Sequence, residues 1–229
     1  MHKGFKFQYL IISTLFIVSF SACTIPQEGQ ITTKSGKLPI LGRPEIVTSK
    51  VNGELKVDTI AHQVADFSFL NQDSVWINND SLAGKIYVAD FFFTSCPTIC
   101  PLMKKQMLRV YDAFSENDHV KILSHTIDPA HDSVAVLREF SEALGVESSK
   151  WHFLTGDKDE IYQLGEKSYM VTAGADKDAP GGYIHSGAFL LVDTERHIRG
   201  VYDGTMKEQV DQLIIDIRKL LDEEYGNNK

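Results

Sequence analysis

Residues 85–93 are apolar at nearly every position, and this run constrains the fold more than any other feature of the chain. An unbroken apolar run of this length is typical of a strand covered on both faces. Apolar residues then recur at roughly helical spacing between Leu102 and Phe114, and residues 120–127 form a second apolar run. The pattern therefore predicts two parallel strands joined by a helix.

The rest of the chain extends this βαβ unit. Residues 67–70 and 74–77 are short strand candidates, and residues 151–154, 188–192 and 197–202 are three more. Asp132 is a candidate cap for a second helix that Gly145 would end, and Thr205 with Glu208 has the form of a capping box for the last helix. This order predicts an α/β fold, a thioredoxin-like sandwich with a central mixed sheet and flanking helices.

Two cysteines, Cys96 and Cys100, stand where the first apolar run gives way to the helical pattern. A helix beginning near Pro97 would direct its positive end at both sulfurs and favour the thiolate over the thiol. Thiolates bind soft metals or exchange disulfides, so this junction is the candidate functional site. Incidental burial of two cysteines in the core is the alternative interpretation.

The amino-terminal segment predicts where the domain works. Lys3 and Lys6 precede an apolar stretch too short to span a bilayer, which indicates a signal peptide over residues 1–22. The small residues before Cys23 resemble the lipobox of bacterial lipoproteins, which implies lipidation of Cys23. An ordinary secretory signal with Cys23 as a stray thiol, or an uncleaved anchor, is the alternative. Each version predicts an extracytoplasmic protein, and lipidation would anchor it to the membrane of a bacterial cell envelope.

Composition excludes one class of partner and suggests a domain division. The chain carries a net charge of −8, and loss of residues 1–22 would make the charge more negative, so nucleic acid is not an expected partner. Residues 23–60 are polar and rich in proline and glycine, which predicts a lipid anchor and tether with a possible hairpin over residues 45–57. Residues 61–225 are the predicted thioredoxin-like domain.

Three segments of this domain are informative as motifs: Cys-Pro-Thr-Ile-Cys-Pro at residues 96–101, Thr-Ile-Asp-Pro-Ala-His-Asp-Ser at residues 126–133, and Ile-His-Ser-Gly-Ala-Phe-Leu-Leu-Val-Asp at residues 184–193. Together they resemble the Sco (SenC) family of copper-binding, membrane-tethered proteins. The resemblance implies that Cys96, Cys100 and His185 bind one copper ion. It also implies delivery of that copper to the copper-bearing subunit of cytochrome c oxidase, or to another copper or thiol protein.

Two thiolates and one imidazole suit Cu(I), and the same set with an added weak ligand can hold Cu(II). Structural zinc usually takes four protein ligands, so the implied set favours copper. Among the other candidates, His125 is expected to be a hydrogen-bonded core residue, His131 to lie in an exposed turn, and Met103 and Met107 to be core residues.

Two functional classes remain open. A metallochaperone would need Cys96, Cys100 and His185 together, and it would not be an enzyme. An extracytoplasmic thiol–disulfide oxidoreductase, which reduces cysteines of a partner protein, would use Cys96 and Cys100 as its catalytic redox pair and would tolerate loss of His185.

Overall fold

The computed structural model describes residues 36–51, 54–176 and 182–226, and it describes only the backbone of Val51, Ala173, Ala175, Ile184 and His185. The strands are β1 (Glu45–Val51), β2 (Glu54–Ile60), β3 (Ser68–Asn71), β4 (Trp76–Asn78), β5 (Ile86–Phe92), β6 (Val120–Thr126), β7 (Trp151–Thr155), β8 (Ala173–Ala175), β9 (Tyr183–His185), β10 (Ala188–Val192) and β11 (Ile198–Asp203). The helices are α1 (Cys100–Phe114), α2 (Val134–Leu144), α3 (Lys158–Gln163) and α4 (Lys207–Tyr225).

A mixed sheet forms the centre of the domain. In the described residues it has seven strands, in the spatial order β11-β10-β5-β6-β7-β3-β4. The strands β5, β6 and β7 are parallel, whereas β10 runs antiparallel to β5, and β3 runs antiparallel to β7. The predicted central strand is confirmed, because every residue of β5 is buried. The carboxyl ends of β5, β6 and β7 therefore meet at one edge, where α/β sheets commonly bind ligands.

The two faces of the sheet carry separate apolar layers. Helices α1, α2 and α4 cover one face, and their buried residues pack with alternate side chains of β5 and β6. Helix α3 and the turn that follows it cover the opposite face, where a cluster rich in aromatic residues is buried. The predicted mixed sheet with flanking helices is confirmed.

Two predicted helix caps are wrong, although the helices themselves are present. The cap of α2 is Ser133, whose hydroxyl accepts from the N–H of Val136, while Asp132 is used elsewhere. The hydroxyl of Thr205 donates to Asp203, and α4 begins after Met206 without a side-chain cap. The predicted end of α2 is confirmed, since Gly145 takes the left-handed conformation with φ 69°.

The segment before the domain has two parts that differ in their contacts. Residues near Leu38 are held to the domain, because buried Arg199 donates to the carbonyl groups of Leu38 and Pro39 and pairs with Glu223. Strands β1 and β2 then form an antiparallel hairpin that begins at Glu45 and extends to Ile60. Every residue of β2 is exposed, so this strand does not pack against the domain. No helix in the described part of the chain is both long and apolar enough to span a membrane.

Candidate functional site

The two cysteines lie together at the carboxyl end of β5. Cys96 is buried in the turn that follows β5, where its N–H donates to the carbonyl of Phe93 at 3.2 Å. Cys100 is half-buried and is the first residue of α1, so the helix begins later than the predicted start near Pro97. Both are thiols, and the side chain of Cys100 hydrogen-bonds with that of Cys96. The loop geometry thus brings both sulfurs to one point.

Burial governs the acidity of the Cys100 thiol. Desolvation holds the pKa of Cys100 well above its usual range, and the neighbouring Cys96 and Asp90 raise it further. A hydrogen bond with the backbone of Phe93 acts in the opposite direction without reversing the shift. The prediction that the helix end favours the thiolate is therefore wrong for Cys100. A metal that binds this sulfur has to displace its proton, which makes binding dependent on pH.

A buried carboxyl group lies beside Cys100. Asp90 of β5 and Cys100 line the same small cavity between the sheet and α1. Burial raises the pKa of Asp90 to about 7, while the hydrogen bond from the hydroxyl of Ser124 opposes this shift. The indole N–H of Trp151 donates to the same hydroxyl at 2.8 Å. Sequence reasoning missed Asp90, and its signal was a single acidic residue inside the apolar run.

A second buried carboxylate fixes the loop that leads to Cys96. Asp132 is fully buried and accepts from the backbone N–H of Thr94 at 3.0 Å and from the hydroxyl of the same residue. It also accepts from the hydroxyl of Thr126 at 2.5 Å, and Nδ1 of exposed His131 lies 2.9 Å from it. Asp132 therefore joins the loops after β5 and β6 just before the cysteine motif.

Strand β9, which carries His185, runs beside residues 93–100, which we call the cysteine loop. On one side of His185, the ring of Tyr183 packs on Phe93 with 5.1 Å between ring centroids. On the other side, a Cβ atom placed on Gly187 would lie 3.8 Å from Cδ1 of Ile99. The side chain of Tyr183 and the backbone of Gly187, two residues before and after His185, thus approach the cysteine loop, while the side chain of His185 lies outside the described residues.

Tyr183 also reaches the loop after β6. A hydrogen bond from its hydroxyl to Asp128 raises the pKa of Tyr183 to about 12. Nearby, the hydroxyl of Tyr162 donates to the carbonyl of Ile127 at 2.8 Å. Sequence reasoning missed both tyrosines, because their partners belong to distant parts of the chain.

The remaining candidates have other roles. His125 is buried as predicted, but neither ring nitrogen has a hydrogen-bond partner within the described residues, so the predicted hydrogen bond is wrong. Met103 and Met107 are buried in the core. Among the described side chains, no group of three or more His, Cys, Asp and Glu residues is placed to hold a metal ion. Cys23 lies outside the described residues.

Comparison with known proteins agrees with these features. A family model described as SCO1/SenC matches residues 57–222, which include the cysteine loop and the strand of His185. The chain belongs to the SCO1/SenC family. The resemblance drawn from the three sequence segments is therefore confirmed.

Solved structures of the SCO1/SenC family also match this chain. A SCO1/SenC family lipoprotein from Bacillus anthracis is 30% identical with a TM-score of 0.63, over 69% of this chain and 95% of that one. BsSco, described as having a disulfide switch and as a member of a family of cytochrome c oxidase assembly proteins, is 31% identical with a TM-score of 0.62, over 69% and 93% of the two chains. Arabidopsis thaliana ScoI with copper bound is 26% identical with a TM-score of 0.57, over 68% and 98%. The thioredoxin-like prediction is confirmed.

Proposed function

We propose that this protein binds one copper ion through Cys96, Cys100 and His185 and delivers it to the copper centre of cytochrome c oxidase. The observation that carries the proposal is the contact between the two thiols, with the His185 strand alongside them. The copper-bound relative and the oxidase assembly relative support the choice of metal and of destination.

The donor set fits copper as cargo. Two soft sulfur ligands and one imidazole form a three-coordinate site suited to Cu(I). The bound metal would replace the proton of Cys100, so uptake is favoured as the pH rises. Cys100 lies on a rigid helix end, whereas His185 lies on a separate strand. That strand can therefore withdraw when copper passes to a partner.

The proposed location follows from the amino-terminal segment. Residues 1–22 would be removed as a lipoprotein signal, Cys23 would carry the lipid, and residues 23–60 would tether the domain of residues 61–225. The domain would then work outside the cytoplasm, at the surface of the membrane that holds the oxidase. The lipoprotein relative supports this arrangement.

A thiol–disulfide oxidoreductase is the second candidate function. The adjacent thiols and the relative with a disulfide switch both favour it. In this function Cys96 and Cys100 are oxidised to a disulfide while a disulfide of the partner protein is reduced. His185 has no part in this reaction, so the two functions can be separated by substitution of that residue.

Anaerobic titration of the reduced protein with Cu(I) and Cu(II) tests the proposal. We expect one copper ion per chain. His185→Ala and Cys96→Ala should each weaken binding by more than the 10–100-fold typical of losing an outer-sphere partner. Exposed His119 provides the control, and His119→Ala should bind copper like the wild type.

An absence of specific copper binding would contradict the proposal. If the wild type binds no copper while disulfide exchange with a partner survives His185→Ala, the oxidoreductase function replaces it.

A further inference from the structure

Strand β9, which carries His185, belongs to a small two-stranded ribbon formed with β8. Contacts outside this ribbon have to position it. Strand β9 pairs with β8 in a two-stranded sheet that is separate from the central sheet. Backbone hydrogen bonds from Ser186 to Thr172 and from Asp176 to Gly182 continue this ribbon. Isolated two-stranded ribbons are marginally stable in water, so contacts with the domain determine where this one lies.

Tyr183 supplies such contacts with the segments that follow the three parallel strands. Its ring packs on Phe93, which follows β5, and its hydroxyl donates to Asp128, which follows β6. The ammonium group of Lys158, which begins the helix after β7, lies 6.0 Å from the centroid of the same ring. One side chain thus connects the His185 ribbon to the edge of the sheet at which the cysteines lie.

The other end of β9 is held by backbone contacts. The N–H of Gly204 donates to the carbonyl of Gly187 at 2.7 Å, and Gly187 leads directly into the central sheet through β10. The strand is therefore fixed at its Gly187 end by the fold itself. At its Tyr183 end it is held by a side chain, so this end is the one that can open.

We propose that Tyr183 is a positioning residue, whose contacts with Asp128 and Phe93 hold the His185 strand against the cysteine loop and limit the rate of copper release. The role in release rests on the proposed copper function. Tyr183 itself is not a ligand in this account. Breaking its hydrogen bond frees one end of the strand and moves His185 away from the thiols.

The test compares Tyr183→Phe with the wild type. This variant keeps the ring that packs on Phe93 and removes only the hydroxyl. A hydrogen bond to a charged group usually contributes enough to change an equilibrium about tenfold or more. We expect amide hydrogen exchange at Ser186 and Asp176 of the metal-free protein to accelerate about tenfold. Copper transfer from the loaded protein to a Cu(I) chelator should accelerate by a similar factor.

The control is Tyr162→Phe, which removes a neighbouring hydroxyl that donates to Ile127. This control should change neither the exchange of the ribbon amides nor copper release. Exchange in β6 serves as an internal reference for global stability. Asp128→Ala should reproduce the effect of Tyr183→Phe, and the double variant should show little additional effect, because both substitutions remove the same hydrogen bond.

Three outcomes separate the possibilities. Unchanged exchange and release in Tyr183→Phe would overturn the proposal. Faster exchange throughout β6 as well would also overturn it, since the effect would then be a general loss of stability. If exchange in Tyr183→Phe is faster only in the ribbon, and the wild type binds no copper, the positioning role is supported. The proposed copper function is then overturned instead.

Discussion

Asp132→Ala is expected to lower the free energy of unfolding by about 3 kcal/mol. The carboxylate is fully buried and accepts from the backbone N–H of Thr94 and from the hydroxyl of Thr126. Its removal leaves the buried hydroxyl of Thr126 and the half-buried N–H of Thr94 without this acceptor, and an unsatisfied buried group costs about 1–3 kcal/mol. Urea denaturation followed by circular dichroism measures the loss. Because Thr94 leads into Cys96, the variant should also bind copper more weakly.

The matched control is Ser133→Ala. Ser133 follows Asp132 in the chain, and its hydroxyl is the observed cap of α2. Loss of a helix cap typically costs about 1 kcal/mol, and the cysteine loop makes no hydrogen bond to this hydroxyl among the described contacts. Copper affinity should therefore be unchanged in Ser133→Ala. Equal losses of stability in the two variants would indicate that Asp132 acts only near the helix end, which would contradict its role in the cysteine loop.

His125→Phe is expected to stabilise the protein, and the gain should increase as the pH falls. His125 is buried among the rings of Phe67, Phe69, Phe91 and Tyr169, and desolvation lowers its pKa from 6.5 to about 3. Below about pH 6.5 the unfolded chain binds a proton that the folded protein does not. The stability of the wild type is therefore lost progressively as the pH falls from about 6.5 towards 3.

The variant isolates this effect from that of Asp90. The pKa of Asp90 is raised from 3.8 to about 7, so the folded protein binds a proton there first and gains stability as the pH falls through the same range. The difference between His125→Phe and the wild type cancels the Asp90 contribution. Between pH 7 and pH 4 this difference should grow by about 3 kcal/mol. A difference that does not change with pH would show that His125 takes up its proton as readily in the folded protein as in the unfolded chain, which would contradict the lowered pKa.

Apolar pattern predicts the central strands well, for a physical reason. The run at residues 85–93 locates β5 (Ile86–Phe92) to within one residue at each end, because a strand covered on both faces has to be apolar throughout. The run at residues 120–127 locates β6 equally well. Short strands such as β8, with the sequence Ala-Gly-Ala, carry no such pattern and cannot be predicted from it.

The interior of the site depends on contacts that no local pattern records. Asp132 has the residue type and position of a helix cap, yet its partners are Thr94, in the loop after β5, and Thr126, at the end of β6. Cys100 stands at a helix start, which favours a thiolate, but burial against both apolar layers has the larger effect on its pKa. Spacing identified the candidate cysteines, whereas their environment required the structure.

X-ray absorption spectroscopy of the copper-loaded protein tests the central claim most directly, because it identifies the atoms bound to the metal. Reduced protein loaded with one equivalent of Cu(I) should show two sulfur ligands and one imidazole nitrogen. His185→Ala should lose the imidazole signal and keep both sulfurs. A wild-type spectrum with fewer than two sulfur ligands, or an imidazole signal that persists in His185→Ala, would contradict the assignment of Cys96, Cys100 and His185 as the copper site.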